Sequence, residues 1–399
     1  MQPFVERRER LQKNLHSTDA FLIHQPGTII RNGDVHYYPY HPNRYFYYLT
    51  GFDEPSAWLL LTKDKAHFWS TSQDANYTLW NGPVLAESSI DELQVDTWSS
   101  SLHLNNLNTL LKNTENLFII GDIPQSLTFD GNILDGKSLV DHMRIIKDRY
   151  EINVISKACE ITANAHNYLM QHAPQSKHEA ELMGLFIQKI MAQGAMSQAY
   201  PPIIACGKNA LTLHYSKNNQ VLSHSEMVLV DAGCEYQQYV SDISRTFPAS
   251  GKFSAPQQAL YEACLDVQTA TIKQVRSKKT FNELQEYSVL RMTQHLIDLG
   301  IIKTSFDIAI EDKLYQNYFP HRVGHTLGLD VHDIPSIDDT LHPGMIITIE
   351  PGIYIRDEGK YKNMGIRIED DILVTELGYK NLTINAAKSI KDIHHLMKS

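Results

Sequence analysis

The 399-residue chain has four cysteines, Cys159, Cys206, Cys234 and Cys264, and no two stand at C-x-x-C spacing. That is too few and too scattered for a disulfide framework, so the thiols are expected to be reduced and buried. No segment approaches the roughly 20 consecutive apolar residues that a membrane helix needs. There is no excess of positive charge either. The formal net charge is −10 and the charged residues are dispersed rather than blocked, so neither nucleic acid nor an anionic membrane is an expected partner. Internal repeats at solenoid periods and low-complexity tracts are also missing. The first ten residues, Met1-Gln-Pro-Phe-Val-Glu-Arg-Arg-Glu-Arg10, carry charge from the outset and have no apolar stretch behind them to act as a signal peptide. A cytoplasmic location is the expectation.

What the chain does have is enough length for two domains and an ordinary 42% of hydrophobic residues, sufficient for a sizeable core. Residues 1 to about 150 alternate short apolar strands, such as Ala20–Ile23, Ala57–Thr62 and Asn116–Ile120, with polar stretches. This is an α/β pattern. Around Asp141–Ile152 the chain turns into a helical periodicity carried by Ile155, Ala158, Ile161 and Ala165. The division is therefore expected near residue 150, giving domains 1–150 and 151–399. In the second, helices at about 151–172 and 178–193, strands at about 200–248, two helices between about 256 and 299, and strands from about 345 onward point to α+β. Helices would cover one face of a curved antiparallel sheet.

Asp231, in Val228-Leu-Val-Asp-Ala-Gly233, and Asp242, in Val240-Ser-Asp-Ile-Ser-Arg-Thr-Phe247, lie eleven positions apart. The flanking runs read as antiparallel strands joined through Gly233–Gln238, a hairpin that would bring the two side chains side by side. Taken alone, Asp231 is a strand-closing turn residue and Asp242 a residue on a solvated face. Glu350 ends the apolar run Met345-Ile-Ile-Thr-Ile-Glu350, where an uncompensated charge is expensive and a cation would offset the cost. In Gly365-Ile-Arg-Ile-Glu369 strict alternation puts Ile366 and Ile368 on one face and Arg367 and Glu369 on the other.

His321, His325 and His332 lie in Phe319-Pro-His-Arg-Val-Gly-His-Thr-Leu-Gly-Leu-Asp-Val-His-Asp333, where Pro320, Gly324 and Gly328 argue against a helix and hence against H-E-x-x-H zinc binding. With 19 histidines in the chain a single one carries little weight; three among glycines and acidic residues carry more. His214 is placed at the end of a β-like run, Leu211–Tyr215. Four carboxylates and an imidazole could hold two divalent cations with a water between them, which is the equipment of a hydrolase.

Taken in order, Asp-Ala-Gly, Ser-Asp-Ile-Ser-Arg-Thr, Gly-His-Thr-Leu-Gly-Leu-Asp-Val-His-Asp, Ile-Glu-Pro-Gly and Arg-Ile-Glu-Asp resemble the signature of the metal-dependent peptidases with the pita-bread fold. Arg31-Asn-Gly-Asp34, Tyr38-Pro-Tyr40 and Tyr47-Tyr-Leu-Thr-Gly-Phe-Asp-Glu-Pro55 narrow the resemblance to aminopeptidase P, and Ala199–Ile204, Leu213–Tyr215 and Val331–Pro335 are similar to its mitochondrial-type class. The small departures, Ala210 and Pro335 in place of glycine, concern the substrate rim.

The resemblance implies Asp231 on one metal, Asp242 and Glu369 bridging both, and His325 with Glu350 on the other, the metals being manganese. It implies a metal-bridging hydroxide as nucleophile, Glu350 as general base and then proton donor to the departing nitrogen, and His332 with His214 stabilising the tetrahedral intermediate. His321 and Tyr200 would border the proline pocket, Arg367 would orient the site by pairing with acidic groups, and Asp34 would meet substrate across an interface in a homodimer or homotetramer. The implied substrates are peptides with proline in second position. A prolidase, which uses the same ligands on dipeptides, is the nearest rival. A metal-free creatinase-like hydrolase is disfavoured by five filled ligand positions, and a catalytically dead binding scaffold by the intact ligands and absent charged tails.

Overall fold

The computed structural model describes residues 3–33, 36–70, 78–80, 82, 90–100, 104–124, 127–336 and 338–398. It separates into two compact units, Met1–Arg144 and Ile145–Ser399. The first unit is built on a six-stranded mixed sheet, in the spatial order Thr97–Ser99, Ala66–Ser70, Ala57–Thr62, Asp19–Gln25, Asn116–Ile120 and Asn132–Asp135. Asp19–Gln25 and Ala57–Thr62 run antiparallel, while Asn116–Ile120 lies parallel to Asp19–Gln25 on its other side. Both central strands are buried along nearly their whole length, which accounts for their apolar runs. The helix Pro3–Asn14 buries two arginines whose guanidinium groups donate to the carbonyls of Tyr48, Leu49 and Leu93.

In the second unit, local signals decide where the helices start. Asp148 and Glu151, Ser254 and Gln257, and Thr280 and Glu283 form reciprocal capping boxes that open the helices Arg149–His172, Ala255–Ile272 and Phe281–Asp298. Each box satisfies two N–H groups that the helix itself cannot. The helices pack onto antiparallel strands, and one apolar core combines Ile161, Leu169, Phe186, Leu260 and Met292 with Val228, Val230, Ile347, Ile349, Ile366 and Ile368. All named strand pairings in this unit are antiparallel, distributed over three three-stranded and one two-stranded sheets. The four cysteines are buried and free.

Two local expectations fail. Met227–Asp231 does pair antiparallel with a later strand, but that strand is Ser244–Pro248, with Asp231 opposite Ser244. Between them Cys234–Tyr236 and Tyr239–Val240 form a small hairpin of their own. Asp242 therefore sits in the irregular link of residues 241–243, not on a strand. The alternation across Tyr239–Phe247 concealed this break, because residues on either side of it are equally buried. Nor is Leu211–Tyr215 strand-like: Gly207–Leu211 is a short 3-10 helix, and residues 213–220 have no regular structure. Its apolar residues pack sideways into a small cluster with Ile203, Leu229 and Tyr354, a tertiary contact that mimics strand periodicity.

Candidate metal centre

Met227–Asp231 is the central strand of its sheet, flanked by Ile203–Cys206 and Ser244–Pro248, and its first four residues are buried. Its last residue, Asp231, emerges at an open cavity of ≈ 750 Å³. Asp242 reaches the same cavity from that irregular link, where its backbone N–H donates to Asp371 Oδ2 at 3.0 Å. The Tyr200 hydroxyl stands between the two, within hydrogen-bond reach of Asp231 Oδ1 at 2.6 Å and of Asp242 Oδ1.

His325 and Glu350 arrive together for a backbone reason. Residues 323–327 run alongside the strand Ile346–Ile349: Glu350 donates to the carbonyl of Val323, Thr348 to that of His325, and Leu327 to that of Ile346. This close pairing requires glycine at 324, where a Cβ would sit 1.9 Å from the Thr348 carbonyl oxygen. His325 Nε2 lies 3.5 Å from Glu350 Oε1 and 3.5 Å from Asp242 Oδ2. Arg367 ends the strand Met364–Arg367, and Glu369 precedes the strand Asp370–Thr375; both line the cavity while Ile366 and Ile368 enter the core. Ser244 Oγ donates to Glu369 Oε2 at 2.9 Å and accepts from Arg367 Nε at 3.0 Å. One donor atom each from Asp242, His325 and Glu369 lie within 4.8 Å of one another.

The electrostatics of this cluster fit divalent cations. Burial, reinforced by neighbouring carboxylates, raises the acids of Asp242 and Glu369 above their ordinary range and pushes Glu350 up to about 7, against the lowering effect of His325 and Arg367 on Glu350. His325 moves the other way from a buried histidine: burial would lower it, but Asp242 and Glu350 raise it to about 9. The imidazolium is thus the positive charge that the carboxylates collect when no metal is bound. Tyr200 makes the same point, since a phenol has one proton to give and two carboxylates at its oxygen. Hard oxygen donors crowded at such distances are a cation's donor set, and a bound cation removes the repulsion that raises these acids.

The cavity rim carries a second ordered chain. Arg367 donates through Nη1 to the Tyr354 hydroxyl at 2.8 Å and through Nη2 to Asp231 Oδ2 at 2.5 Å. Tyr354 OH lies 2.9 Å from His321 Nε2, and His321 Nδ1 lies 2.8 Å from the carbonyl of Arg322. A guanidinium only donates, so the Tyr354 proton goes to His321 Nε2, and Nδ1–H donates to the carbonyl. His321 is therefore neutral with a defined tautomer, consistent with burial and Arg367 lowering it to about 4. The His332 ring lies 4.2 Å from that of His325, tilted by 57°, and its pKa is lowered by partial burial and by that neighbour. His214 faces the cavity from the irregular segment.

The structure thus gathers Tyr200, His214, Asp231, Asp242, His321, His325, His332, Glu350, Arg367 and Glu369 around one cavity. Asp34 lies outside the described residues. Sequence reasoning assigned no role to Tyr354 or Ser244. Tyr354 had a faint signal, as the one polar-tipped residue in the strand Gly352–Ile355 directly after Glu350; Ser244 stood in a quoted motif beside Asp242.

Comparisons with known proteins find similarity along the whole chain. Residues 153–376 match the model of metallopeptidase family M24, and residues 4–145 match that of the aminopeptidase P N-terminal domain. A Xaa-Pro aminopeptidase of Haemophilus influenzae is 37% identical over 99% of this chain and 96% of its own. Among solved structures, Escherichia coli aminopeptidase P with the inhibitor Pro-Leu superposes with a TM-score of 0.94 at 33% identity, covering 100% of this chain and 98% of that one. The zinc-substituted E. coli enzyme in complex with product gives the same TM-score of 0.94 at 32% identity and the same coverage.

Proposed function

The chain belongs to metallopeptidase family M24, with an aminopeptidase P N-terminal domain ahead of the catalytic one, and on that premise we propose that it is a Xaa-Pro aminopeptidase. It removes the first residue of peptides whose second residue is proline. The observation that carries this reading is the convergence of Asp231, Asp242, His325, Glu350 and Glu369 on a single cavity whose rim holds the neutral His321 against Tyr354 and Arg367. The relatives named for this activity, and the similar E. coli aminopeptidase P structure with the inhibitor Pro-Leu, support the assignment.

Those five residues would hold two divalent cations, manganese being the metal that a carboxylate-rich donor set suits. When bound, the cations would supply an acidified water and polarise the scissile carbonyl. Glu350 accepts the proton of the attacking water and passes it to the departing proline nitrogen, which leaves poorly as an anion and so needs the proton. His332 and His214, both facing the cavity, donate hydrogen bonds to the oxygen that gains charge in the tetrahedral intermediate. His321 and Tyr200 border the proline site. Arg367 orients Asp231 and, through Tyr354, His321.

The same reading divides the chain near residue 150 into an N-terminal domain and a catalytic domain. It assembles the protein as a homodimer or homotetramer in which Asp34 meets substrate across an interface, and it locates the enzyme in the cytoplasm. Among the described residues no helix is long and apolar enough to cross a membrane. The test is direct: purified enzyme is offered Xaa-Pro-Xaa tripeptides and Xaa-Pro dipeptides of matched composition. Release of the first residue from tripeptides supports the assignment. Exclusive turnover of dipeptides replaces it with a prolidase.

A further inference from the structure

The segment that presents His214 has no strand or helix to give it shape, yet it supplies Leu213, His214 and Ser216 to the cavity. A loop of that kind needs its polar groups satisfied and its conformation selected by something outside itself. The group that does so is a carboxylate. Glu179, the first residue of the helix Glu179–Met191, is fully buried and lies outside the cavity lining. Its Oε1 accepts from the backbone N–H of Cys206 at 2.9 Å and from Asn209 Nδ2 at 2.8 Å. Its Oε2 accepts from the Tyr215 hydroxyl at 2.8 Å and from the backbone N–H of Gln220 at 3.0 Å. Its own N–H donates to the Gln220 carbonyl at 3.0 Å.

The four donors bracket His214 in sequence, two before and two after. The partner next to it, Tyr215, is drawn inwards into the cluster of Ile203, Leu229 and Tyr354. Tyr215 is held in that cluster while the adjacent His214 lines the cavity, so fixing Tyr215 fixes the backbone from which the imidazole projects. Asn218, also buried, adds a second pin by accepting from the Ile204 N–H and donating to the Pro202 carbonyl. A buried carboxylate with four donors, at the positive end of a helix, has its desolvation offset and its geometry tightly defined.

We propose that Glu179 is a positioning residue for catalysis, holding segment 206–220 so that the His214 imidazole faces the reacting carbonyl. This rests on the role given to His214 above. Glu179→Gln puts an NH₂ group against two of the four donors and releases the clamp, while the segment contains none of the five metal-binding residues. The expected result is a fall in kcat on the order of ten-fold with KM and metal content near wild type, and a fall on the order of 10² for His214→Ala. In the double variant the Glu179→Gln loss disappears, because the imidazole that Glu179 positions is gone.

Losses that multiply in the double variant overturn the proposal and make Glu179 a general support of the fold. Should Glu179→Gln not fold, Tyr215→Phe, which removes one donor and keeps the ring, is carried through the same cycle with a smaller loss expected. A readout independent of turnover separates this proposal from the assigned activity. In the zinc-loaded, diamagnetic protein, the His214 imidazole NMR signal, identified by its loss in His214→Ala, shifts or broadens in Glu179→Gln or Tyr215→Phe while those of His321 and His332 stay in place. An unmoved His214 signal overturns the proposal even if the peptidase activity is as assigned. A moved signal in a protein that does not cleave Xaa-Pro-Xaa peptides overturns the activity and leaves the clamp.

Discussion

Replacing Tyr354 by Phe removes a single oxygen from the fully buried strand Gly352–Ile355 and keeps the ring that packs there. Two partners lose by it. Arg367 Nη1, on a guanidinium that is itself buried, loses its 2.8 Å acceptor, and His321 Nε2 loses its 2.9 Å donor. A hydrogen bond from a buried charged donor contributes about 1.5–3 kcal/mol, and the neutral one at the partly accessible His321 about 1 kcal/mol. The expected destabilisation is about 3 kcal/mol, since Arg367 keeps Ser244 and Asp231 as acceptors. For a unit of this size that lowers Tm by roughly 5–10 °C, read by calorimetry. Because His321 is assigned to the substrate site, loss of the hydrogen bond that anchors its ring at Nε2 is expected to raise KM for a Xaa-Pro-Xaa peptide about ten-fold and to change kcat little. Wild-type Tm together with wild-type KM would refute the proton assignment along Arg367, Tyr354 and His321. A loss confined to kcat would move His321 from substrate binding into the chemical step.

Asp242→Ala and Glu369→Ala are each expected to abolish turnover and to lower the number of manganese ions bound in calorimetric titration, because each removes a ligand assigned to both metals; full activity in either variant refutes bridging. Metal-free protein should lose stability as pH rises from about 6.5 to about 9. In that window the folded His325, raised to about 9, retains a proton that the unfolded chain has released, and the stabilisation of about 3 kcal/mol is lost as pH passes through the folded value. Saturating manganese displaces that proton and flattens the profile, which denaturation at a series of pH values would reveal; identical slopes with and without metal contradict it. Arg245→Met should cost about 3–5 kcal/mol in denaturation experiments. It strips a fully buried guanidinium from Asp370, from the carbonyl of Glu369 and from those of Ala386 and Ala387. An unchanged melting temperature would show that Lys388, which also meets Asp370, suffices alone.

The parts of this molecule that were legible in sequence are those governed by neighbours in the chain. Alternation in Gly365–Glu369 correctly sorted two isoleucines into the core and Arg367 with Glu369 into the cavity, because period two holds even where the strand is interrupted between Arg367 and Asp370. The helices were legible from their periodicity, and the capping boxes at Asp148, Ser254 and Thr280 start each one at a defined residue. The strand break at Asp242 was not legible, since the N–H there is taken by Asp371, 129 residues away. Glu179 was invisible, and Tyr354 nearly so, for the same reason: their partners come from other segments, and nothing in the local pattern distinguishes a glutamate at a helix start from a solvated one. His214 misled in the opposite direction, with apolar neighbours that imitate a strand while packing as a pinned loop.

The claim that a cation-holding carboxylate cluster performs proline-specific aminopeptidase chemistry is tested most directly by one assay. Peptides of the form Xaa-Yaa-Xaa, with Yaa scanned through proline and other residues, are offered to metal-stripped enzyme and to the same enzyme restored with manganese. First-residue release only when Yaa is proline, absent in the stripped enzyme and recovered with manganese, is the predicted result. Full turnover by stripped enzyme, or release that ignores the identity of Yaa, would contradict it.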